Sequence, residues 1–299
     1  MPSNTGRTVS PPADGILRYV SLLRDDEGRA PMTFRVPKES VLSLPKEPPR
    51  QPSVPKDAAT VMLLRDPAGS PGGGVEVFLQ RRVAGMAFAG GMTVFPGGGV
   101  DARDADASVS WAGPPPSRWA EWFSCSESMA RALVCAAVRE TFEESGVLLA
   151  GDESGAVACT AQYADARRAL VSRELSLAAF LADAGLTLRA DLLRPWANWV
   201  TPEQEPRRYD TRFFVAALPA GQRADGATTE AEDSGWHRPG EAIADAEAGR
   251  SGLMPPTWFT LDELARFDSV SDVLAVERDV RRITPRLVMD GDVVRVELP

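Results

Sequence analysis

Apolar residues form several nearly continuous runs along the chain, and these runs predict the strands of a sheet. The run AATVMLL, starting at Ala58, predicts a buried strand, and VEVFLQRR predicts a second strand after a glycine-rich turn. Further along, WANWV and YDTRFFVAAL predict two more strands, and PRLVMDGDVVRVELP predicts a closing hairpin with Asp-Gly at its turn. Helical stretches lie between these runs without strict alternation, which predicts a mixed sheet flanked by helices.

Helical periodicity predicts the remaining elements. Residues 125–145 predict a helix that starts at a capping box of Ser124 and Glu127 and stops at Gly146. The stretches AQYADARRALVSRELSLAAFLADAG and TLDELARFDSVSDVLAVE predict shorter amphipathic helices. Residues 101–124 carry several prolines and three tryptophans, and they predict a long loop or insertion before the main helix.

Composition and charge narrow the class of protein. The 299 residues are 43% hydrophobic and 25% charged, which is typical of a globular protein. A net charge of −9 argues against nucleic acid or an anionic membrane as the main partner. Three cysteines without CxxC spacing and the lack of a long apolar run favour a cytoplasmic protein. Residues 1–56, rich in proline and charge, are interpreted as an extended arm before a domain at 57–299.

Three carboxylates crowd the end of the main predicted helix. Glu140, Glu143 and Glu144 share one helix face, where like charges repel. Such a cluster is either a solvated acidic surface or a site for a hard divalent cation, Mg²⁺ or Mn²⁺. The sequence around the cluster favours the cation site.

That surrounding sequence resembles a known motif. RETFEESGV, from Arg139 to Val147, is similar to the second half of the nudix box, and VFPGGGVD is similar to its opening. The resemblance implies the nudix fold, a mixed sheet between helices (α/β/α), here with an inserted loop and extra C-terminal helices. Gly98 and Arg139 are 41 positions apart, against 14 in the usual box, so about 27 residues are inserted. Counting back eight from Arg139 gives Arg131 where the box has glutamate, so that role is absent or moved, for example to Glu127.

The long insertion resembles one branch of the family, which includes enzymes acting on coenzyme A and its acyl esters. The later stretch NWVTPEQEPRRYDTRFFVAAL is also typical of that branch. The resemblance implies a metal-dependent hydrolase that cleaves the diphosphate linkage of coenzyme A, acyl-coenzyme A or a related nucleoside diphosphate conjugate. ADP-ribose, NADH and nucleotide sugars remain alternative substrates. A non-catalytic nudix-fold regulator that binds such a ligand is the alternative of a different class.

The resemblance also implies roles for residues of the box. Glu143 and Glu144 would bind the catalytic metal, with Glu140 as a further ligand or as the base. Arg139 would orient these carboxylates, and the Gly98 carbonyl would be a metal ligand. Gly97 and Gly99 would let the backbone approach the metal or a phosphate of the substrate.

Substrate-binding residues are less sharply indicated. Arg82 fits a signature of the coenzyme A diphosphatases that precedes the box, although a second expected arginine is absent. Arg207 and Arg208 would hold the substrate's phosphates or form a solvated turn. The candidates for a remote general base are Glu230 and Glu232. Trp111, Trp119 and Trp122 would anchor the insertion to the body or stack on adenine, and a homodimer is possible in this family.

Overall fold

The computed structural model describes residues 21–22, 34–37, 48–69, 72–86, 89–290 and 293–298. The strands, in chain order, are β1 Ser21–Leu22, β2 Phe34–Pro37, β3 Lys56–Arg65, β4 Glu76–Arg82, β5 Thr93–Val94, β6 Gly97–Gly99, β7 Trp111–Ala112, β8 Ala150–Asp152, β9 Gly155–Ala156, β10 Thr187–Arg189, β11 Leu193–Val200, β12 Tyr209–Ala217, β13 Ala231–His237, β14 Arg282–Ile283, β15 Arg286–Asp290 and β16 Val293–Glu297.

The helices, in chain order, are α1 Pro116–Phe123, α2 Glu127–Ser145, α3 Ala164–Val171, α4 Leu177–Asp183, α5 Pro239–Glu247, α6 Pro255–Leu264 and α7 Val270–Leu274. Helix α2 is the main helix predicted from the sequence. Among the described residues, no helix combines the length and the apolar character needed to cross a membrane.

The central sheet is mixed, as predicted. Its strands lie in the order β13, β4, β3, β12, β11, β14, with β5 beside β4 and β6 beside β3. Strand β3 runs parallel to β12 and antiparallel to β4 and β6. Strand β3 lies in the middle of the sheet, and both of its faces are covered by other parts of the chain. Its sequence is therefore a continuous apolar run rather than an alternating one.

Two apolar layers cover the two faces of this sheet. On one face, Ala59, Val61 and Leu63 of β3 pack in one cluster with helices α1 to α4. On the other face, Met62 and Leu64 pack with helices α5, α6 and α7. Alternate residues of one strand therefore serve two cores, and the predicted α/β/α sandwich is confirmed.

The start of helix α2 differs from the prediction. Its N-cap is Ser126, whose side chain accepts a hydrogen bond from the N–H of Met129 at 3.2 Å. Ser124 instead ends the preceding helix in a left-handed conformation with φ of 50°. The predicted capping box of Ser124 and Glu127 is therefore wrong by two positions, because Ser126 is an equally good N-cap in the sequence.

The inserted segment 101–124 is more ordered than the predicted loop. It contains a short 3₁₀ turn, strand β7 and helix α1, which begins with Pro116 at its first position. Trp119 of α1 is fully buried and lies 5.5 Å, between ring centroids, from Phe214 in the central sheet. The tryptophans Trp111 and Trp119 both donate to the carbonyl of Pro114. These contacts favour the anchoring role for the tryptophans.

A second, small sheet joins the two ends of the chain. Its strands lie in the order β1, β2, β16, β15, so a strand of the N-terminal arm pairs with the last strand of the chain. The predicted closing hairpin is formed by β15 and β16, and its Asp-Gly turn lies partly outside the described residues. Most of the arm 1–56 also lies outside them. The division into arm and domain stays a prediction.

Candidate active site

Helix α2 carries the three clustered glutamates on its last turns, and this end of the helix lies against the glycine strand β6. Gly146 ends the helix in a left-handed conformation with φ of 71°, and its N–H donates to the carbonyl of Phe142 at 3.0 Å. Glycine adopts this conformation without steric cost. Strand β6 pairs with β3, with Gly98 opposite Ala59. The structure therefore brings together the glutamates and the glycines that the sequence singled out.

The glycines allow a very close approach between β6 and the glutamates. A Cβ added at Gly98 would lie 2.4 Å from Oε1 of Glu140, closer than real contacts allow. The N–H of Gly97 donates to Oε2 of Glu144 at 2.8 Å. The carbonyl of Gly99 accepts from Nη2 of Arg139 at 3.0 Å. Each glycine thus contacts the acidic end of α2 through its backbone.

Arg139 is the cationic centre of the cluster. Its Nη1 donates to Oε1 of Glu140 at 2.7 Å and to Oε1 of Glu143 at 3.3 Å. The residue is only 9% exposed, so its charge is held almost entirely by protein groups. This arrangement is the orienting contact that the sequence resemblance implied for Arg139.

Asp104 supplies the acidic partner that sequence counting failed to find. Its carboxylate accepts from Nε and Nη2 of Arg139 at 3.0 and 2.8 Å, a two-point ion pair, and Asp104 is 3% exposed. Asp104 lies six positions after Gly98, where the usual box has its glutamate, so the insertion follows this position. Counting forward from the glycine, rather than back from the arginine, would have found it.

Neither position 131 nor Glu127 can supply the acidic partner of Arg139. Arg131 lies with its guanidinium 5.2 Å from the ring centroid of Trp111. Glu127 is exposed at the first position of α2, and the rise of 1.5 Å per helical residue places it roughly 18 Å from Arg139. The suggestion that Glu127 replaces the box glutamate is therefore wrong.

Glu144 is the most enclosed of the three glutamates. It is 4% exposed, and its Oε2 also accepts a hydrogen bond from Nε2 of Gln80 on β4. Oε1 of Gln80 is buried and has no hydrogen-bond partner among the described residues. Sequence reasoning missed Gln80, since a glutamine in an apolar strand gives no signal of its own. Together with the N–H of Gly97, it fixes the orientation of Glu144.

The environment raises the pKa of all three glutamates. Burial, with a contribution from Glu143 and against the effect of Arg139, raises the pKa of Glu140 to about 7. Burial and the neighbouring charge of Glu140 raise the pKa of Glu144 to about 8. Burial also raises the pKa of Glu143. For Arg139, burial opposes ionisation, but the hydrogen bonds to Asp104 and the surrounding carboxylates outweigh it and raise its pKa. When all are ionised, the three glutamates and Asp104 together carry more negative charge than Arg139 alone can compensate.

These residues fit a hard divalent cation. The donors are carboxylate oxygens and a glycine carbonyl, which are the ligand types preferred by Mg²⁺ and Mn²⁺. The space that a Cβ of Gly98 would fill lies directly beside Glu140. No group of three or more His, Cys, Asp and Glu in the described part of the chain is already arranged around a common point. Glu140, Glu143 and Glu144 instead contact Arg139, Gln80 and Gly97, so they would have to turn towards a cation.

A cavity of about 460 Å³ opens beside this cluster. Glu140 and the three glycines of β6 lie on its wall at one end. Ala58 and Thr60 of β3, with Thr211 and Phe213 of β12, also line it, and these are neighbouring pairs on one face of the sheet. The cavity is large enough for a substantial part of a nucleotide-sized ligand.

Arg82 lines the same cavity as Glu140. Its Nη2 is 3.4 Å from Oε2 of Glu230, and its Nε is buried without a hydrogen-bond partner among the described residues. Glu230 also lines the cavity, whereas Glu232 accepts from the backbone N–H of Ala84 at 3.2 Å. Of the two candidates for a remote base, Glu230 is the one placed on the cavity.

Arg207 and Arg208 lie away from the cavity wall. Arg208 is 8% exposed, and its guanidinium donates to the carbonyls of Thr201 and Ser53 at 3.0 and 2.8 Å. Arg207 is exposed and does not line the cavity. The structure gives Arg208 a structural contact with the loop before β12, which explains its place beside that strand without any phosphate.

The chain is similar to known proteins over most of its length. A family profile described as the NUDT19 Nudix domain matches residues 124–266, which include all of helix α2. A NUDIX hydrolase from Alicyclobacillus acidocaldarius has a crystal structure that superposes with a TM-score of 0.61 at 25% identity, covering 76% of this chain and 98% of that one. The chain is therefore similar to nudix hydrolases in both sequence and fold. The nudix resemblance inferred from the box is thereby confirmed.

The curated relatives are 25% to 29% identical to this chain over the matched residues. A putative nudix hydrolase 7 of Caenorhabditis elegans is 29% identical over 196 residues, which cover 66% of this chain and 57% of the relative. An acyl-coenzyme A diphosphatase NUDT19 of Xenopus laevis is 25% identical over 237 residues, covering 66% of this chain and 62% of the relative. The matched part of this chain therefore spans less than two thirds of the length of these two relatives.

Proposed function

We propose that this nudix protein is a divalent-metal-dependent hydrolase that cleaves the diphosphate linkage of coenzyme A, acyl-coenzyme A or a related nucleoside diphosphate conjugate into two monophosphates. The observation that carries the proposal is the acidic end of α2, which lies against the Gly97–Gly99 strand beside the cavity. There, Arg139 donates to Glu140 and Glu143, and Glu144 accepts from Gly97. The relatives named acyl-coenzyme A diphosphatase support coenzyme A compounds as the substrate class. We take residues 57–299 as the catalytic domain.

Glu143, Glu144 and the carbonyl of Gly98 are the proposed metal ligands, and Glu140 is either a further ligand or the base. When bound there, Mg²⁺ or Mn²⁺ supplies charge neutralisation at the diphosphate oxygens and lowers the pKa of the attacking water. The chain's own contribution is orientation, because Arg139 and Asp104 fix the carboxylates against β6 before a ligand arrives.

Glu140 is the proposed proton acceptor. It lies on the cavity wall, and Arg139 donates a hydrogen bond to it. Gly98 has no side chain and so leaves the space that the Glu140 carboxylate occupies. Burial raises the pKa of Glu140 when no cation is bound, and a cation beside it would favour the ionised form that can accept a proton. Glu230 on the same cavity is the second candidate for this step.

Arg82 is the proposed diphosphate-binding cation. Its buried Nε has no hydrogen-bond partner among the described residues, and its pairing with the exposed Glu230 at 3.4 Å is long. A guanidinium in this state can donate to phosphate oxygens without breaking a strong contact. Gly97 and Gly99 complete this wall by presenting backbone rather than side chains to the ligand.

Purified protein with Mg²⁺ or Mn²⁺ should be assayed against coenzyme A, acetyl-coenzyme A, a long-chain acyl-coenzyme A, ADP-ribose, NADH and a nucleotide sugar. Release of adenosine 3′,5′-bisphosphate from the coenzyme A compounds is the expected result. Glu144→Gln, which keeps the shape of the side chain, should abolish it. Glu127→Gln, at the exposed start of the same helix, is the matched control and should retain activity.

Two other outcomes would change the proposal. AMP formed from ADP-ribose or NADH, with coenzyme A compounds untouched, would keep the hydrolase and replace its substrate. Measurable binding of these ligands without turnover under any metal would favour the non-catalytic regulator. The Arg139–Glu140 pair, Glu143 and Glu144 are all present, and this argues against the non-catalytic regulator.

A further inference from the structure

We infer that Glu205 is a specificity-determining residue at the far end of the cavity, selecting substrates whose arm beyond the diphosphate is long, uncharged at its end and able to donate a hydrogen bond. The inference rests on the proposed function, because it names the part of the substrate that occupies the cavity away from the glutamates of α2. It adds a residue that the nudix box does not contain.

The cavity runs across the strands rather than along them. Its wall includes Gly98 on β6, Thr60 on β3, Phe213 on β12 and Trp199 on β11, which are successive neighbours in the sheet. Strands in a sheet lie about 4.8 Å apart, so three steps give a length of roughly 14 Å from the glycines to Trp199. Glu205 lines the cavity from the loop that follows β11. A ligand cleaved at Glu140 must extend that far to meet it.

The wall between the two ends is mainly apolar, with a few hydroxyl side chains such as Thr211 and Thr257. Trp199 and Phe213 of the sheet face Met254 and Pro255 at the start of α6, and Leu287 of β15 lines the same space. A wall of this kind favours a mainly aliphatic arm over a sugar, since most of its side chains offer no partner to the several hydroxyls of a sugar.

Positive charge on the described wall is confined to the glycine end. Arg82 adjoins Glu230 near the glutamate cluster, and the carbonyl of Arg173 accepts from Arg103, whose own guanidinium pairs with Asp101 just after β6. Arg82 and Arg173 are the cationic side chains among the lining residues. The far end therefore has no cation to receive an anionic group.

Glu205 places a carboxylate at that far end, where no cation of the described residues lies beside it. Its backbone N–H donates to the carbonyl of Pro202 at 3.1 Å, which fixes the turn that carries it. Its carboxylate makes no hydrogen bond or ion pair with the described residues. Burial raises the pKa of this carboxyl, as expected for a carboxyl among apolar neighbours. An N–H or O–H of the ligand would supply the missing donor, and a carboxylate of the ligand would be repelled.

The test compares two substrates that differ by one terminal carboxylate, acetyl-coenzyme A and malonyl-coenzyme A. KM and kcat are measured for the unchanged protein, for Glu205→Gln and for Glu203→Gln. Glu203 is exposed, lies two positions away in the same loop and does not line the cavity, so it is the matched control. We expect the unchanged protein to favour acetyl-coenzyme A in KM by about tenfold, given the cost of juxtaposed like charges. Glu205→Gln should remove most of that preference with kcat for acetyl-coenzyme A little changed, and Glu203→Gln should retain it.

The outcomes separate this inference from the proposed function. Hydrolysis of both substrates with the same KM ratio in all three proteins would overturn the role of Glu205 and leave the hydrolase intact. Loss of the preference in Glu203→Gln as well would also overturn it, since the effect would then belong to the general charge of the loop. No hydrolysis of either substrate by the unchanged protein would refute coenzyme A compounds as the substrate class and, with it, this inference, whereas activity on ADP-ribose or NADH in the same preparation would show that the hydrolase itself stands.

Discussion

Replacing Asp104 by asparagine tests the account of the Arg139 site most directly. The Asp104 and Arg139 side chains are 2% and 11% exposed, and their ion pair has two hydrogen bonds of 3.0 and 2.8 Å. Asp104→Asn keeps the shape and removes the charge. Removing one partner of a buried pair costs about 3–5 kcal/mol in general. Arg139 keeps Glu140 and Glu143, so we expect a loss of about 2–4 kcal/mol in the free energy of unfolding, towards or below the lower end of that range.

Thermal unfolding followed by circular dichroism measures this loss. For a chain of this size the expected fall in Tm is about 5–15 °C. Asp165→Asn, which breaks the exposed pair with Arg168, is the control and should change Tm by about 1 °C or less. We also expect kcat to fall, since Arg139 would shift towards the remaining carboxylates.

A second substitution tests whether position 131 has any part in this site. Arg131 lies eight residues before Arg139 on α2, roughly 12 Å away along the helix axis. Arg131→Glu in the Asp104→Asn background should therefore not restore Tm or kcat. Recovery of both, or an unchanged Tm in Asp104→Asn alone, would refute the assignment of Asp104 as the acidic partner of Arg139.

The other predictions concern the glycines, the titration of the cluster and the insertion. Gly98→Ala would place a Cβ 2.4 Å from Glu140 and displace that flexible side chain, so kcat/KM should fall by about 100-fold with little change in Tm. Gly99→Ala is the control, because its Cβ would meet nothing within 4 Å. A loss in Gly98→Ala no larger than that in Gly99→Ala would contradict this prediction. With a chelator present, Tm should fall as the pH rises from 4.5 to about 8, because the pKa values of Glu140 and Glu144 are raised from 4.5 to about 7 and about 8, so the folded state binds more protons there. Adding Mg²⁺ should restore Tm at the upper end of that range, and a flat profile in both conditions would argue against unpaired buried carboxylates. Trp119→Ala should cost about 3–5 kcal/mol in chemical denaturation, as expected for a fully buried aromatic, whereas Val171→Ala, 47% exposed, should cost far less.

Much of the fold could be predicted because its signals are local. The apolar run of β3 indicates a strand covered on both faces, and Gly146 indicates the end of α2. The start of α2 was harder, since Ser124 and Ser126 are both acceptable caps, and packing of α1 through Trp119 selects the second. The order within the insertion could not be predicted, because its helix is stabilised by contacts with the distant strand β12.

The candidate site divides in the same way. Glu140, Glu143 and Glu144 share a helix face whatever the rest of the chain does, so their spacing was sufficient. Gln80 and Asp104 reach the site only through strand pairing and through the placement of the loop after β6. A run of amino acids does not show such long-range pairs. The count from Gly98 would have indicated Asp104, but its contact with Arg139 required the fold.

The small sheet has a consequence for how the cavity opens. Leu287 of β15 and Val296 of β16 line the cavity, and β16 is hydrogen-bonded to β2 near the other end of the chain. Opening this hairpin would expose the cavity to water without unfolding the central sheet. A ligand that contacts Leu287 and Val296 binds the closed form more tightly, so occupancy should slow amide hydrogen exchange in β16 and β2 together. The two ends of the chain would then report, in exchange rates, whether the site between them is filled.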